Sequence, residues 1–223
     1  PQKLALLLLI RIFSSSLIVF QHGRVRYIEN SWRQRLYLRI LDKISTTVFL
    51  SQAIEENVLK RIALRNSTVI PHPLFSELAV HRLKKSGVCF IGVCSAEKNM
   101  QAIEYLHSKQ HSFAILGSYL GACTNLNVLS VFDYSNDAYR YRSSGAVFNA
   151  INANHIIIYN RSCEYIHGIL ENYPYKHSYK SYAEMEHHIL KSHDSVVKLE
   201  KIDEFKLFWK SKTINLLKEL ICR

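Results

Sequence analysis

The feature that most constrains this chain is a repeated alternation. Short runs that are apolar or β-branched throughout are each followed by a stretch with helical spacing. Residues 17–21, 46–50, 68–70, 88–93, 112–117, 128–134 and 155–159 read as strands. Helical patterns are expected over 3–13, 31–44, 52–64, 99–109, 145–153, 162–172, 181–193 and 203–222. Strands that alternate with helices form βαβ units around a parallel sheet. The runs are continuously apolar, as strands covered on both faces must be. Ser31 and Ser51 stand where helix N-caps are needed, and Glu55 and Glu56 suit the first turns after Ser51. Pro71-His72-Pro73 stops one such layer, and a link to about residue 85 precedes the next.

Composition narrows the class. Of 223 residues 48% are hydrophobic, and only 7 are glycine and 4 proline, so the chain builds a core and is not a linker. The formal net charge is +11, from 29 basic and 18 acidic residues, with 11 histidines besides. Such a balance favours phosphorylated ligands or an anionic membrane face. Nucleic acid is not expected as a partner, because no zinc-finger spacing, aromatic RNA-binding signature or basic zipper occurs. The five cysteines are odd in number and form no C-x-x-C pair, so free thiols in a reducing cytosol are expected. The sequons at Asn66 and Asn160 read as chance matches in such a chain. The apolar stretch 4–10 is cut by Arg11 and by Ser14-Ser15-Ser16, which makes it a buried helix rather than a membrane span. Residue 1 is Pro1, and an upstream part is expected.

In an open parallel sheet, ligands bind beyond the carboxyl ends of the strands. His22-Gly23 follows the first strand and offers a base or hydrogen-bond donor, or a plain loop histidine. Lys98 lies in the turn after 88–93, just before a helix, where a point charge and free N–H groups favour phosphate; a solvated lysine fits the spacing equally. Arg142-Ser143-Ser144-Gly145 leads into another helix and makes an anion cradle or an ordinary serine cap. Asn149, one turn into that helix, and Glu164, after the next strand, can hydrogen-bond ribose or sugar hydroxyls, or stand on a helix surface. Tyrosines near the strand ends, Tyr134 among them, can stack on a base but more commonly pack. The neighbours His187 and His188 do not share a helix face, and no D-x-D motif occurs, so no metal site is expected.

In order and spacing these segments resemble the retaining, family-four-like GT-B glycosyltransferases of bacterial polysaccharide clusters. The likeness rests on Thr47-Val48-Phe49-Leu50-Ser51 and Val69-Ile70-Pro71-His72-Pro73, then Phe90-Ile91-Gly92 with Lys98-Asn99. It continues through Tyr141-Arg142-Ser143-Ser144-Gly145-Ala146, Asn149-Ala150-Ile151 and Ile156-Ile157-Ile158. It covers most of residues 17–170. It implies an α/β chain of two Rossmann-like parallel-sheet domains, the first incomplete. Residues 1–80 would be the C-terminal part of the acceptor domain, 81–200 the donor domain, and 201–223 a helix packing back on the first. A sugar would pass from a nucleotide-sugar donor to a glycan or lipid-linked acceptor in surface polysaccharide synthesis. Lys98, Arg142, Ser144, Gly145, Asn149 and Glu164 would bind the donor, and His22 would act near the acceptor. No cofactor is implied beyond the donor itself. The expected place is cytoplasmic, peripheral on the inner membrane face, with basic residues of helix 31–44 against an anionic leaflet. The chain departs from the family at Val93, where many of its members carry arginine. It departs also at Tyr141 and Asn149, where many relatives carry two glutamates. These departures keep open a nucleotide-sugar-binding or partner protein without transfer, and an epimerase.

Overall fold

The computed structural model describes residues 11, 17–21, 28, 31–72, 74, 80–81, 87–92, 94–95, 98–116, 122–123, 128–134, 145–193, 195 and 197–222. The chain divides into two compact units, Pro1–His72 with Tyr141–Ser143, and Pro73–Arg140 with Ser144–Arg223.

The first unit holds a three-stranded parallel sheet: β1 (Ile18–Gln21), β2 (Thr46–Phe49) and β3 (Ser67–Val69), with β2 in the centre. Two helices connect them, α1 (Trp32–Ile44) and α2 (Gln52–Leu59). Both start where the expected serines stand. The Ser31 hydroxyl accepts from Gln34 N at 3.4 Å and the Ser51 hydroxyl from Ile54 N at 3.2 Å, each meeting one of the helix's orphan donors. Val48 and Phe49 of β2 are buried with Leu38, Leu41, Ile54 and Val58 from the helices. Helix α2 is shorter than the expected 52–64. Arg61 N and Ile62 N both reach Val58 O, and the buried Asp42 carboxylate captures Arg65 N and Asn66 N at 2.8 and 2.7 Å. That capture pulls the chain out of helix and delivers it to β3.

The second unit is built on a five-stranded sheet of β5 (Gly87–Ile91), β6 (Phe113–Leu116), β8 (Val128–Phe132), β9 (Ile156–Asn160) and β10 (Lys176–Tyr179). Its order is β10-β9-β8-β5-β6, parallel throughout. A two-residue ladder, β4 (Val80–His81) with β7 (Ala122–Cys123), accompanies it. The helices are α3 (Met100–Ser108), α4 (Gly145–Asn152), α5 (Glu164–Ile169), α6 (Tyr182–Ser192) and α7 (Leu199–Ile221). The chain lays β6 on one side of β5 and β8 on the other, so strand order reverses between β5 and β8. That gap is the topological switch point. Every residue of β8 is buried, and so are Ile156 to Tyr159 in β9. The core also contains a polar chain from β5 through β8 to the residue before β9: Cys89 Sγ lies 3.3 Å from Ser130 Oγ, which lies 2.6 Å from His155 Nδ1.

Strand β10 has no counterpart in the sequence reading, because Lys-His-Ser-Tyr is polar and short; it pairs with β9 in the register Lys176↔Ile157. Helix α5 is shorter than the expected 162–172, since Asn160 Oδ1 accepts from both Ser162 N and Ser162 Oγ and holds the turn outside the helix. Helix α7 packs Trp209 near Phe148 (ring centroids 5.9 Å apart) and Phe205 near Tyr173 (5.3 Å). Its Lys206 Nζ donates to Asn152 O and Asn154 Oδ1. These partners belong to the second unit. Among the described residues no helix is long and apolar enough to cross a membrane.

Candidate functional site

The candidate site lies at the carboxyl edge of the second unit's sheet, at the gap between β5 and β8. Strand β5 ends in Gly92, whose φ of 95° lies in the region that side chains rarely adopt. A Cβ there would stand 3.1 Å from Lys98 Nζ and 3.7 Å from the Ala146 methyl. The missing side chain therefore makes room for two things at once, the lysine ammonium and the first turn of α4.

The loop that carries Lys98 is closed on itself. Ser95 N donates to Lys98 O at 2.9 Å and Lys98 N to Ser95 O at 2.8 Å. Next, Asn99 takes the left-handed conformation, φ 64°, and starts α3. It does not cap that helix with its side chain. Instead Asn99 N donates to Asp133 O at 2.6 Å, and Asn99 Oδ1 accepts from Asp133 N at 2.8 Å. The β5 loop is thereby stitched to the end of β8. One residue further, Lys98 Nζ lies 4.7 Å from the centroid of the fully buried Tyr134 ring, a cation–π distance.

Asp133 itself is buried, and its carboxylate is held by neutral donors. Asn160 Nδ2 and Tyr179 Oη donate to Oδ1 at 3.0 and 2.8 Å, and Tyr182 Oη lies 3.0 Å from Oδ2. Tyr182 shares its one hydroxyl proton with Gln101 Oε1 at 2.9 Å. Burial first, and the Asp133 charge second, push both phenols above their ordinary range, so they remain donors. This knot ties β8, β9, β10, α3 and α6 together under the Lys98 loop. Cys94, in the same loop, has its thiol pushed up by burial, against the pull of the Lys98 ammonium.

Of the residues expected at the site, Lys98 and the start of α4 at Gly145 come together around Gly92. A Cβ added at Gly145 would meet nothing within 4 Å, so the backbone there faces open space. Asn149 is half-buried on α4, one turn on. Glu164 is exposed in the first turn of α5, beyond the carboxyl end of β9. His22, Arg142 and Ser144 lie outside the described residues. Tyr134 is core, not a stacking platform open to solvent. Sequence reasoning missed Gly92, Asn99 and Asp133 as the residues that shape the loop. One signal was present: an acidic side chain directly after the apolar run 128–132 marks the strand's end. Among the described residues no group of three or more His, Cys, Asp or Glu can hold a metal ion.

No protein-family model and no curated protein matches the chain. Solved structures do. The chain superposes on one described as "Crystal structure of GtfA/B complex" with a TM-score of 0.56, at 11% identity, over 92% of its own length. It spans 53% of that chain. At this identity the likeness is one of fold: an α/β chain of parallel-sheet, Rossmann-like units of the GT-B kind.

Proposed function

We propose that the second unit binds a nucleotide sugar by its diphosphate at the β5–β8 gap. The chain then serves transfer of the sugar to a glycan or lipid-linked acceptor, as in family-four-like enzymes of surface polysaccharide synthesis. The observation that carries the reading is the position of Lys98 Nζ. It stands over the one glycine that admits it, beside the first turn of α4, at the switch point of a parallel sheet. An ammonium close to the first turn of a helix suits an anion. As the bond between sugar and diphosphate breaks, negative charge grows on the leaving diphosphate. Lys98 and the α4 N–H groups would stabilise that charge without moving, because the Asn99–Asp133 stitch already fixes the loop. In the same reading Arg142 and Ser144 add to the cradle, Asn149 and Glu164 meet ribose or sugar hydroxyls, and His22 serves the acceptor side.

A second reading, nucleotide-sugar binding or partnership without transfer, is favoured by one specific observation. Residues 141 and 149 are tyrosine and asparagine, where the family that the sequence resembles often carries two glutamates. A thermal-shift panel of UDP, GDP, CMP and their sugar conjugates tests what the two readings share. A ligand at about 100 times its Kd raises stability by about 2.7 kcal/mol. A selective shift with one base supports the donor site, and turnover of that sugar nucleotide with acceptor present separates transfer from binding alone. No shift with any nucleotide removes both readings.

A further inference from the structure

Helix α7 has two unlike faces. Ile202, Phe205, Trp209, Thr213 and Leu220 are turned inward and buried, and Lys206 fixes the helix to Asn152 O and Asn154 Oδ1. The other face displays large apolar side chains to solvent: Leu207 is 67% exposed, Phe208 56%, Ile214 39% and Ile221 71%. These belong to a longer stripe. Glu200, Glu204, Leu207, Ser211, Ile214, Lys218 and Ile221 follow one another at alternating steps of four and three, and all are exposed. That spacing is the seam of a two-helix coiled coil, which a lone helix cannot use. The seam is also polar in charge, with acids at its N-terminal end and Lys218 near its C-terminal end. Glu200 and Glu204 stand one turn apart and repel each other along the helix. The helix dipole accounts for acids at the start and a lysine at the end. It does not account for leucine, phenylalanine and isoleucine exposed between them.

We propose that this seam pairs with the same seam of a second copy of the chain, antiparallel, about a two-fold axis. Charge complementarity selects both the partner and the direction. A parallel pair would set acids against acids and Lys218 against Lys218. Run antiparallel, with Leu207 opposite Ser211 of the second copy, the seam sets Glu200 opposite Lys218 of that copy. Glu204 then falls opposite Ile214 of the second copy, one turn from the same lysine. The small side chain of Ser211 leaves room for Leu207, and Phe208 flanks the contact. Every pair occurs twice, because a two-fold interface is self-complementary and closes at two copies. The proposal concerns α7 alone and stands whether or not the second unit binds a nucleotide sugar.

The test is sedimentation equilibrium of the full chain over a wide range of concentration at low ionic strength. A monomer–dimer equilibrium is expected. Lys218→Glu replaces attraction by repulsion at both symmetric ends and should weaken the dimer at least about tenfold. Glu200→Lys with Glu204→Lys should weaken it to a similar degree. All three reversals combined restore the opposite charges and should return the dissociation constant to within about threefold of wild type. Leu207→Ser with Ile214→Ser leaves charge unaltered and should leave only monomer. The substituted residues are all exposed, and unaltered circular dichroism verifies the fold. The proposal is overturned by a mass that stays monomeric at every concentration, or by a dimer that survives Leu207→Ser with Ile214→Ser. It is overturned equally by charge reversals that do not rescue one another, and by masses that climb past the dimer, since an open-ended contact has no two-fold axis.

Discussion

The carboxyl edge of the second unit and the outward face of α1 use charge in opposite ways. At the sheet edge the charged groups are built in: Asp133 is buried under three hydrogen-bond donors, and Lys98 stands against a buried ring. On α1 the arginines project from an exposed face and line an open groove. A buried, cross-tied charge is costly to disturb and holds its neighbours at fixed distances. An exposed one contributes little to folding, and its worth lies in what it meets. The first arrangement suits preorganised stabilisation of charge at one point, and the second has little part in holding the fold.

This contrast can be broken by mutation, beginning where the effect is largest. Asp133→Ala leaves Tyr179 Oη and Asn160 Nδ2 without their acceptor. The expected cost is about 3 kcal/mol, read from the denaturant midpoint. A cost below about 1 kcal/mol would mean that the knot does not hold the edge. Next is Gly92→Ala, which places a Cβ at a strained φ and 3.1 Å from Lys98 Nζ. It is expected to cost about 1–2 kcal/mol and to weaken nucleotide binding by displacing the ammonium. If stability falls while affinity holds, Lys98 is not at the ligand.

A pH effect of smaller size should come from the sheet's far edge. Burial, then His188 and Lys191, hold the His177 imidazole below its ordinary 6.5 in the folded chain. As pH falls through 6.5 the unfolded chain takes up that proton first. The contribution is therefore full above 6.5 and is lost as pH drops below it, until the folded ring titrates too. His177→Gln should flatten this part of a stability-versus-pH curve; an unaltered slope would assign it elsewhere. The smallest effect is expected on the other side of the comparison, where Arg39→Gln should change stability by less than about 0.5 kcal/mol in thermal denaturation.

How much of this was legible in the sequence differs by region for the same reason. The serine caps, the apolar strands and the basic character of α1 are local properties, and Ser31, Ser51, Val48 and Arg39 announce them one residue at a time. The parallel order of the second sheet follows from alternation, but β10 does not. Its Lys176, His177 and Ser178 carry no apolar signal, and the strand exists because β9 offers a free edge for pairing. Asn99, Asp133, Asn160, Tyr179 and Tyr182 lie far apart along the chain and meet only once five elements have packed. The role of Gly92 also depends on three-dimensional neighbours, since nothing at residues 90–93 reveals that Lys98 and Ala146 converge there.

The central claim is that Lys98 meets the diphosphate of a bound nucleotide, and calorimetric titration of a nucleoside diphosphate into wild-type and Lys98→Ala chains tests it most directly. A charge-assisted hydrogen bond is worth about 1.5–3 kcal/mol, so the variant should bind at least about tenfold more weakly. The matching nucleoside without phosphates should not tell the two chains apart. Equal affinity of both chains for the diphosphate would contradict the account.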